Sequence, residues 1–176
     1  MIPFNRSDMV EGMTPVRFTR TSSGSFFQES FYALNAYRFT NAAGISRFGR
    51  FRIQPEREGR RLDAAEAAQQ SPDFLFDEVR EALGKGPAKM RIAVQIAGEG
   101  DATDDATAHW PEDRQQIEFG TVEMTSVLSN NDAEQQHIIF DPIPRVDGID
   151  KSADPLLEPR AAVYLASGRR RRSEQR

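Results

Sequence analysis

The 176-residue chain contains no cysteine and only two histidines, His109 and His137. The absence of cysteine excludes disulfides, thiolate metal sites, iron–sulfur clusters and cysteine nucleophiles. Two histidines exclude a histidine-rich metal site and leave two candidates for a histidine general base. Tryptophan occurs once and tyrosine three times, whereas phenylalanine occurs twelve times. So many flat apolar rings suit a large core or a pocket for a planar ligand.

Long hydrophobic runs and an excess of positive charge are also missing. No apolar stretch approaches the roughly 20 residues that a membrane span needs, and the first residues lack the apolar stretch of a signal peptide. We therefore expect a cytoplasmic protein with no membrane span. The formal net charge is −4, which gives no bias towards nucleic acid. The length suits one domain with its own core.

The order of the predicted elements favours an α+β fold with an antiparallel sheet. Residues 1–24 are polar and irregular and are predicted to form an arm, with one short strand at 16–19. Alternating apolar residues then predict strands, the first two of which form a hairpin around a turn at 41–44. Because strands and helices are segregated along the chain, alternating βαβ units are disfavoured. The strands after the arm are predicted at residues 31–40, 46–54, 90–97, 117–128 and 136–140.

Three helices are predicted from their start and stop signals. Asp63 opens a capping-box-like pattern, and Ser71 stands before a proline, as an N-cap residue often does. Gly84 or Gly86 ends the second helix. The last helix contains two prolines, so it is either kinked or begins at Pro159.

Arg160 and Tyr164 form the most informative pair in the sequence. Residues four apart share one face of a helix, so a guanidinium is expected beside a phenol hydroxyl. A tyrosine in water has a pKa of about 10, and a fixed positive charge next to it favours the phenolate, a hard anionic ligand suited to ferric iron. Taken alone, the pair is more typical of a surface hydrogen bond, and its surroundings decide between the two.

Asn35 interrupts the apolar face of a predicted strand. Buried amides of this kind are commonly satisfied by backbone groups and serve structure alone. The other interpretation is a polar group that faces a pocket. The residues themselves favour neither interpretation over the other.

The segment 101–112 spaces oxygen-bearing side chains somewhat like a calcium loop, which suggests a calcium-stabilised binding module. The sharp turn of such a loop requires glycine at its sixth position, however, and Ala106 stands there. Lone motif matches also have high false-positive rates. An acidic surface loop around a buried Trp110 is the favoured interpretation.

Five blocks of the sequence resemble successive blocks of the catalase core, most closely that of the smaller catalase-related peroxidases. They arrive in the family's order and extend over about residues 31–172, which makes a chance match far less expected than for any one motif. The blocks are NAYRFTNAAG from Asn35, DATAHWP from Asp105, GTVEM from Gly120, HIIFDP from His137, and GIDKSADPLL from Gly148 ahead of Arg160 and Tyr164.

This resemblance implies a haem-dependent peroxidase that acts on hydrogen peroxide or organic peroxides with a small organic electron donor. It implies that Tyr164 is the proximal ligand of the haem iron, that Arg160 holds the phenolate, and that Asn35 backs the proximal side. An anionic ligand of this kind favours ferric iron. The resemblance further implies an antiparallel β-barrel of the catalase type with helices around it, to which residues 25–172 contribute, followed by a tail at 173–176.

The chain departs from the family on the distal side of the haem. Family members use a distal histidine and a distal asparagine that precede this hairpin, but no histidine precedes His109, so no catalytic residue is identified. Residues 14–19 resemble the first strand of the family's barrel, and the strands between them and residue 31 are missing. We therefore expect an incomplete barrel with exposed edges, which forms a homo-oligomer or is completed by another chain. The alternative function is a non-catalytic barrel remnant.

Overall fold

A six-stranded antiparallel sheet forms the centre of the molecule in the computed structural model, which describes residues 22–57 and 59–174. A short 3₁₀ turn at Phe26–Gln28 precedes it. The strands are β1 (Ser22–Ser23), β2 (Phe31–Tyr32), β3 (Tyr37–Thr40), β4 (Ser46–Pro55), β5 (Arg61–Leu62), β6 (Ala88–Ile96), β7 (Gln116–Met124) and β8 (Ile149–Lys151). The helices are α1 (Ala64–Ala68), α2 (Phe74–Lys85), α3 (Asn131–Gln136) and α4 (Leu157–Ser173).

The main sheet has the strand order β7-β6-β4-β3-β8, and β2 pairs with the far end of β4. β1 and β5 form a separate two-stranded sheet. Across the described residues the main sheet stays open, with β7 at one edge and β8 at the other, and does not close into a barrel. The predicted antiparallel α+β architecture is therefore confirmed, whereas a closed barrel is not present in the described part of the chain.

The two faces of the sheet differ in chemistry because side chains alternate along each strand. One face is aromatic: the ring of Phe51 meets those of Phe39 and Phe119 edge-on, with centroids 5.3 and 5.5 Å apart. The opposite face carries Arg50 and Gln95, both buried. Their partners belong to the segment 97–115, which covers this second face. The buried Trp110 in that segment confirms the prediction made for it.

The helices follow local sequence signals, with one displaced start. Asp63 caps α1 in a full capping box, as predicted. The start predicted for α2 at Ser71 is wrong: α2 begins at Phe74 after Asp73, because the Ser71 carbonyl accepts the Phe74 N–H in a separate turn. Gly86 ends that helix, as the sequence indicated. Among the helices that the structure describes, none combines the length and the apolar composition that a membrane crossing requires.

The final helix α4 begins two residues before the proline that was expected to start it or to kink it. Pro159 occupies the third position of α4, where its missing N–H would have had no partner within the helix. Helical geometry is therefore continuous from Leu157 onwards. Leu157 itself is fully buried, so this end of the helix packs into the molecule.

Three strand predictions need correction. The strand predicted at 31–40 is divided into β2 and β3, because the chain turns inward at Asn35 and Ala36, both almost fully buried. The strand predicted at 117–128 ends at Met124. The strand predicted at 136–140 is absent: helix α3 ends at Gln136, and the apolar residues that follow lie beside α4. The short strand predicted at 16–19 lies outside the described residues.

Candidate functional site

Arg160 and Tyr164 lie one helical turn apart on α4, as their spacing predicted. The Nη2 atom of Arg160 donates to the Tyr164 hydroxyl over a long 3.4 Å, and the guanidinium carbon lies 5.7 Å from the centre of the tyrosine ring. Both side chains are half-buried. A positive charge is thus held beside a phenol oxygen that accepts one hydrogen bond and keeps a further lone pair.

Asn35 joins the hairpin to this helix. Its Nδ2 donates to Oδ2 of Asp154 at 2.7 Å, and its Oδ1 accepts a hydrogen bond from Nη1 of Arg160. With 2% of its surface exposed, the amide has both polar atoms paired to side chains. Asn35 is therefore a buried and satisfied amide, but side chains satisfy it instead of the expected backbone groups, and one of them is Arg160.

Asp154 is a site residue that sequence reasoning missed. Its carboxylate accepts from Asn35 and, through Oδ1, from the backbone N–H of Leu156 at 2.9 Å. It stands just before α4, where a negative charge is favoured by the helix dipole. An acidic residue followed by proline at the start of a helix was the signal available in the sequence. Arg160, on α4, and Asp154, just before α4, thus both bind Asn35.

A cavity of about 420 Å³ opens beside these residues. Asn35 and Arg160 form its polar wall, and Leu34 and Tyr32 contribute apolar surface that is 61% and 58% exposed. An apolar cavity with a small number of fixed polar groups is the usual form of a ligand site. Its lining residues are Tyr32, Ala33, Leu34, Asn35, Tyr37, Ala106, Leu156 and Arg160.

Tyr37, a second tyrosine near the cavity, differs chemically from Tyr164. Its hydroxyl donates to the carbonyl oxygen of Pro142 at 2.9 Å. Burial raises the pKa of the Tyr37 phenol, and the positive charge of Arg160 only partly opposes that increase. Tyr37 is therefore a protonated hydrogen-bond donor at neutral pH, which leaves Tyr164 as the tyrosine with an uncommitted oxygen next to the arginine.

Neither histidine belongs to the cavity wall. His109 is exposed in the segment before Trp110, and His137 is the exposed C-cap of α3. Among the described residues, therefore, no histidine lies where it could act as an acid or a base next to Arg160.

The calcium-like loop is organised by internal pairing. Asp101 accepts two hydrogen bonds from Arg114, at 2.8 and 3.0 Å, and the Asp105 carboxylate accepts from Thr107. Within residues 22–57 and 59–174, no group of three or more acidic or histidine side chains is placed to hold a metal ion. The structure gives the calcium-module interpretation no support.

A model of the catalase family, described as Catalase, matches residues 7–175. The chain belongs to the catalase family. This result agrees with the five ordered blocks of the sequence, and the resemblance stated for them is confirmed. The cluster of Asn35, Asp154, Arg160 and Tyr164 is thus a feature of a catalase-family chain.

Two similar proteins are each named catalase-related peroxidase. The protein of Mycolicibacterium paratuberculosis is 37% identical over 147 residues, which cover 81% of this chain and 45% of the relative. The protein of Synechococcus elongatus is 32% identical over 143 residues, which cover 81% of this chain and 42% of the relative. The chain therefore spans less than half the length of these curated relatives.

Solved catalase structures share the fold. Catalase A from Saccharomyces cerevisiae aligns with a TM-score of 0.75 at 21% identity, over 85% of this chain and 33% of that chain. A fungal catalase aligns with a TM-score of 0.73 at 22% identity, over 85% of this chain and 32% of that chain. At these identities the likeness concerns the fold alone, and it establishes a catalase-like arrangement of antiparallel sheet and helices.

Proposed function

We propose that the chain provides the proximal half of a haem site in a catalase-related peroxidase, with Tyr164 as the ligand of the iron. The observation that carries the proposal is the Arg160 guanidinium, held against the Tyr164 hydroxyl on one side and by buried Asn35 on the other. The names of the similar peroxidases support the reaction class.

The residues present fit a haem group. Haem iron requires one protein donor on its proximal side, and a tyrosine oxygen is an established donor of this kind. Leu156, which directly precedes α4, and Val163, on α4 itself, are 48% and 65% exposed and offer apolar surface to a flat ligand. Exposed apolar surface around fixed polar groups is typical of a binding site.

Each site residue has a separate task in this proposal. Arg160 places its positive charge beside the Tyr164 hydroxyl and donates a hydrogen bond to it. Asn35 and Asp154 hold Arg160 in place, because its side chain would otherwise occupy many rotamers. When bound, haem supplies the iron that exchanges electrons with the peroxide, and a small organic compound or a second peroxide serves as the electron donor.

A non-catalytic haem-binding remnant is the second candidate. The observation that favours it is the position of His109 and His137, both exposed and away from the cavity wall. General acid–base assistance contributes about 10²- to 10⁴-fold to catalysis, so a site without such a group has slow turnover. The two functions share the proximal site and differ in the rate of peroxide consumption.

The experiment is a haemin titration of the purified chain, followed by the Soret absorbance and by peroxide-dependent oxidation of an organic donor. We expect a Soret shift in the wild-type chain that Tyr164→Phe abolishes. Tyr32→Phe is the matched control, because it removes the hydroxyl of a cavity tyrosine and keeps the ring that lines the cavity. Binding without turnover would favour the remnant, and a spectrum indifferent to Tyr164→Phe would rule out the proposed ligand.

A further inference from the structure

We infer that Arg50 positions one wall of the cavity of about 420 Å³ that Asn35 and Arg160 line, the space that we assign to the proposed haem. Arg50 lies on β4, on the sheet face opposite the aromatic side chains, and is 7% exposed. Its Nη1 donates to the carbonyl oxygen of Ala108 at 2.7 Å, and its Nη2 donates to that of Asp105 at 3.0 Å. The two arms of one planar guanidinium therefore hold both ends of a four-residue turn.

The wall itself is Ala106, which lies between the two carbonyl groups that Arg50 binds. Ala106 lines the cavity together with Asn35 and Arg160. An alanine has no side-chain reach of its own, so its position depends on the backbone that carries it. Fixing the carbonyls of Asp105 and Ala108 fixes the distance between this wall and the polar groups opposite.

Trp110 also contacts Arg50. We call Arg50, the turn 105–108 and Trp110 together the clamp. The guanidinium carbon of Arg50 lies 4.2 Å from the centre of the Trp110 ring, and the indole N–H donates to the carbonyl oxygen of Ala102 at 2.8 Å. A guanidinium stacked on an indole face is a favourable cation–π contact. The stack on Trp110 and the two hydrogen bonds to the turn therefore fix the Arg50 guanidinium in one position.

Stability alone gives a weak account of a buried arginine at this position. The acceptors of Arg50 are neutral carbonyl groups, and within the residues that the structure describes its buried Nε has no hydrogen-bond partner. A buried charge with an unsatisfied donor is costly, and well-packed apolar residues often stabilise such positions better. The planar fork has a specific use here, because it binds two carbonyl groups at a fixed separation.

A neighbouring arginine on the same face of β4 supports the cavity from a second side. Arg52 lies 5.0 Å from the centre of the Tyr32 ring and donates to Oε1 of Gln95 at 2.8 Å. Gln95 in turn donates to the carbonyl oxygen of Pro111 at 2.9 Å. Two cavity walls, Tyr32 and Ala106, are therefore tied to adjacent arginines of one strand, which agrees with a positioning role for this face.

The inference rests on the proposed haem function, and its test uses Trp110, the single tryptophan of the chain. We would compare the full-length chain with Arg50→Met, Arg50→Lys and the control Arg91→Gln. Arg91 is exposed on the same sheet face, paired in register opposite Gln54. Trp110 emission and its quenching by acrylamide report the clamp without haem, and the Soret titration reports haem affinity.

We expect Arg50→Met to expose Trp110 to the quencher and to weaken haem binding by about tenfold, the lower end of the loss seen when groups behind a ligand are removed. Arg50→Lys keeps the charge but not the fork, so we expect an intermediate loss. Arg91→Gln should match the wild-type chain. Unchanged Trp110 quenching in Arg50→Met would overturn the clamp, whether or not haem binds.

A separate variant tests the wall with the clamp intact. Ala106→Leu keeps Arg50 and Trp110 and fills the cavity, so it should weaken haem binding with no change in Trp110 emission in the absence of haem. It also replaces Arg50→Met if that variant does not fold. Haem affinity equal to wild type in both Arg50→Met and Ala106→Leu would overturn the inference while leaving Tyr164 as the ligand. Failure of the wild-type chain to bind haem would instead overturn the proposed function and the inference with it.

Discussion

At the scale of single residues, Asn35 is the group on which the candidate site depends. Its amide offers one donor and one acceptor, and it uses the donor towards Asp154 and the acceptor towards Arg160. A side chain with acceptors alone could serve the arginine but not the aspartate. The identity of this residue is therefore set by two partners of opposite charge.

This arrangement predicts the behaviour of Asn35→Asp. The variant places two buried carboxyl groups together, so it should lose about 1–3 kcal/mol of stability at pH 7. One carboxyl pKa of that pair should rise above the ordinary aspartate value, and its protonation at lower pH restores a donor. The loss should therefore shrink as the pH falls from 7 to 5, as measured by urea unfolding at each pH.

The exposed Asn130 provides the control for that experiment. Asn130→Asp should change stability by less than about 0.5 kcal/mol at either pH, because surface substitutions usually have small effects. An Asn35→Asp loss of the same size at pH 5 and pH 7 would show that the two carboxyl groups do not interact.

Asp101 predicts a pH dependence in the stability of the wild-type chain itself. The hydrogen bonds from Arg114 hold the pKa of its carboxyl below the ordinary value, and its side chain is 7% exposed. Stabilisation from a lowered carboxyl pKa is present above the unfolded value of about 3.9 and is lost as the pH falls through the folded value. Asp101→Asn should lose about 2 kcal/mol at pH 7 and unfold with a weaker acid dependence.

Circular dichroism during acid titration measures that difference. The exposed pair of Asp77 and Arg80 offers a matched control, because Asp77→Asn removes a salt bridge between solvated side chains. Equal acid sensitivity of Asp101→Asn and the wild-type chain would contradict the prediction.

The sequence alone could pair the site residues that are close along the chain, but not those that are far apart in it. Arg160 and Tyr164 could be paired because four residues on a helix form one turn. The contact between Asn35 and Arg160 joins residues 125 positions apart, and no periodicity in the sequence encodes such a contact. Only the resemblance to the family places Asn35 on the proximal side, and Asp154 lies in a matching block with no local signal for its contact with Asn35.

At the scale of elements, β4 and β6 approach each other closely at Gly49. The position of Gly49 on β4 shows why a glycine is required there: an added Cβ would lie 2.4 Å from Cγ1 of Val94 and 3.1 Å from the Gln95 carbonyl oxygen. Real Cβ atoms do not approach other atoms so closely, so a larger residue would push the strands apart.

We therefore expect Gly49→Ala to destabilise the chain by about 1–3 kcal/mol, the range for overpacking. Gly120 on β7 is the matched control, because an added Cβ there meets no atom within 4 Å. Gly120→Ala should be neutral or slightly stabilising, since it reduces the freedom of the unfolded chain. Thermal unfolding of both variants measures the contrast, and equal midpoints would contradict it.

Elements with a strong local signal were predicted well, and those shaped by tertiary contacts were not. Strands β4 and β6 follow from the alternation of apolar residues, and the Asp63 capping box follows from cap chemistry. Residues 31–40 looked like one strand, but burial of Asn35 and Ala36 divides them. Residues 137–140 have β-type composition, but Arg171 of α4 lies over the Phe140 ring and binds the Ile138 carbonyl, which holds this segment against a helix instead.

At the scale of the whole molecule, the open sheet exposes its aromatic face. Ile117 and Phe119 are 44% and 53% exposed there, and the face contains a groove of about 540 Å³. Soluble proteins rarely leave a contiguous apolar surface of this kind without a partner. Among residues 22–57 and 59–174, no strand pairs with the outer edge of β7, so other strands can join it there.

We predict that the isolated chain associates through this face. Light scattering after size exclusion should give a mass above that of one chain, and Ile117→Glu should shift the mass towards the monomer by placing a charge on the face. Leu128→Glu is the control, because Leu128 is 56% exposed but lies outside the sheet. A monomeric wild-type chain would contradict the prediction.

The hydrogen bond between Asn35 and Arg160 also has a consequence for synthesis. It closes a loop of 125 residues, and such closure carries a large entropic cost that slows folding. The hairpin leaves the ribosome long before α4 does, so the contact between Asn35 and Arg160 cannot form until α4 has been translated. A chain truncated before α4 would lack both Arg160 and Tyr164 and could not form the proposed haem site.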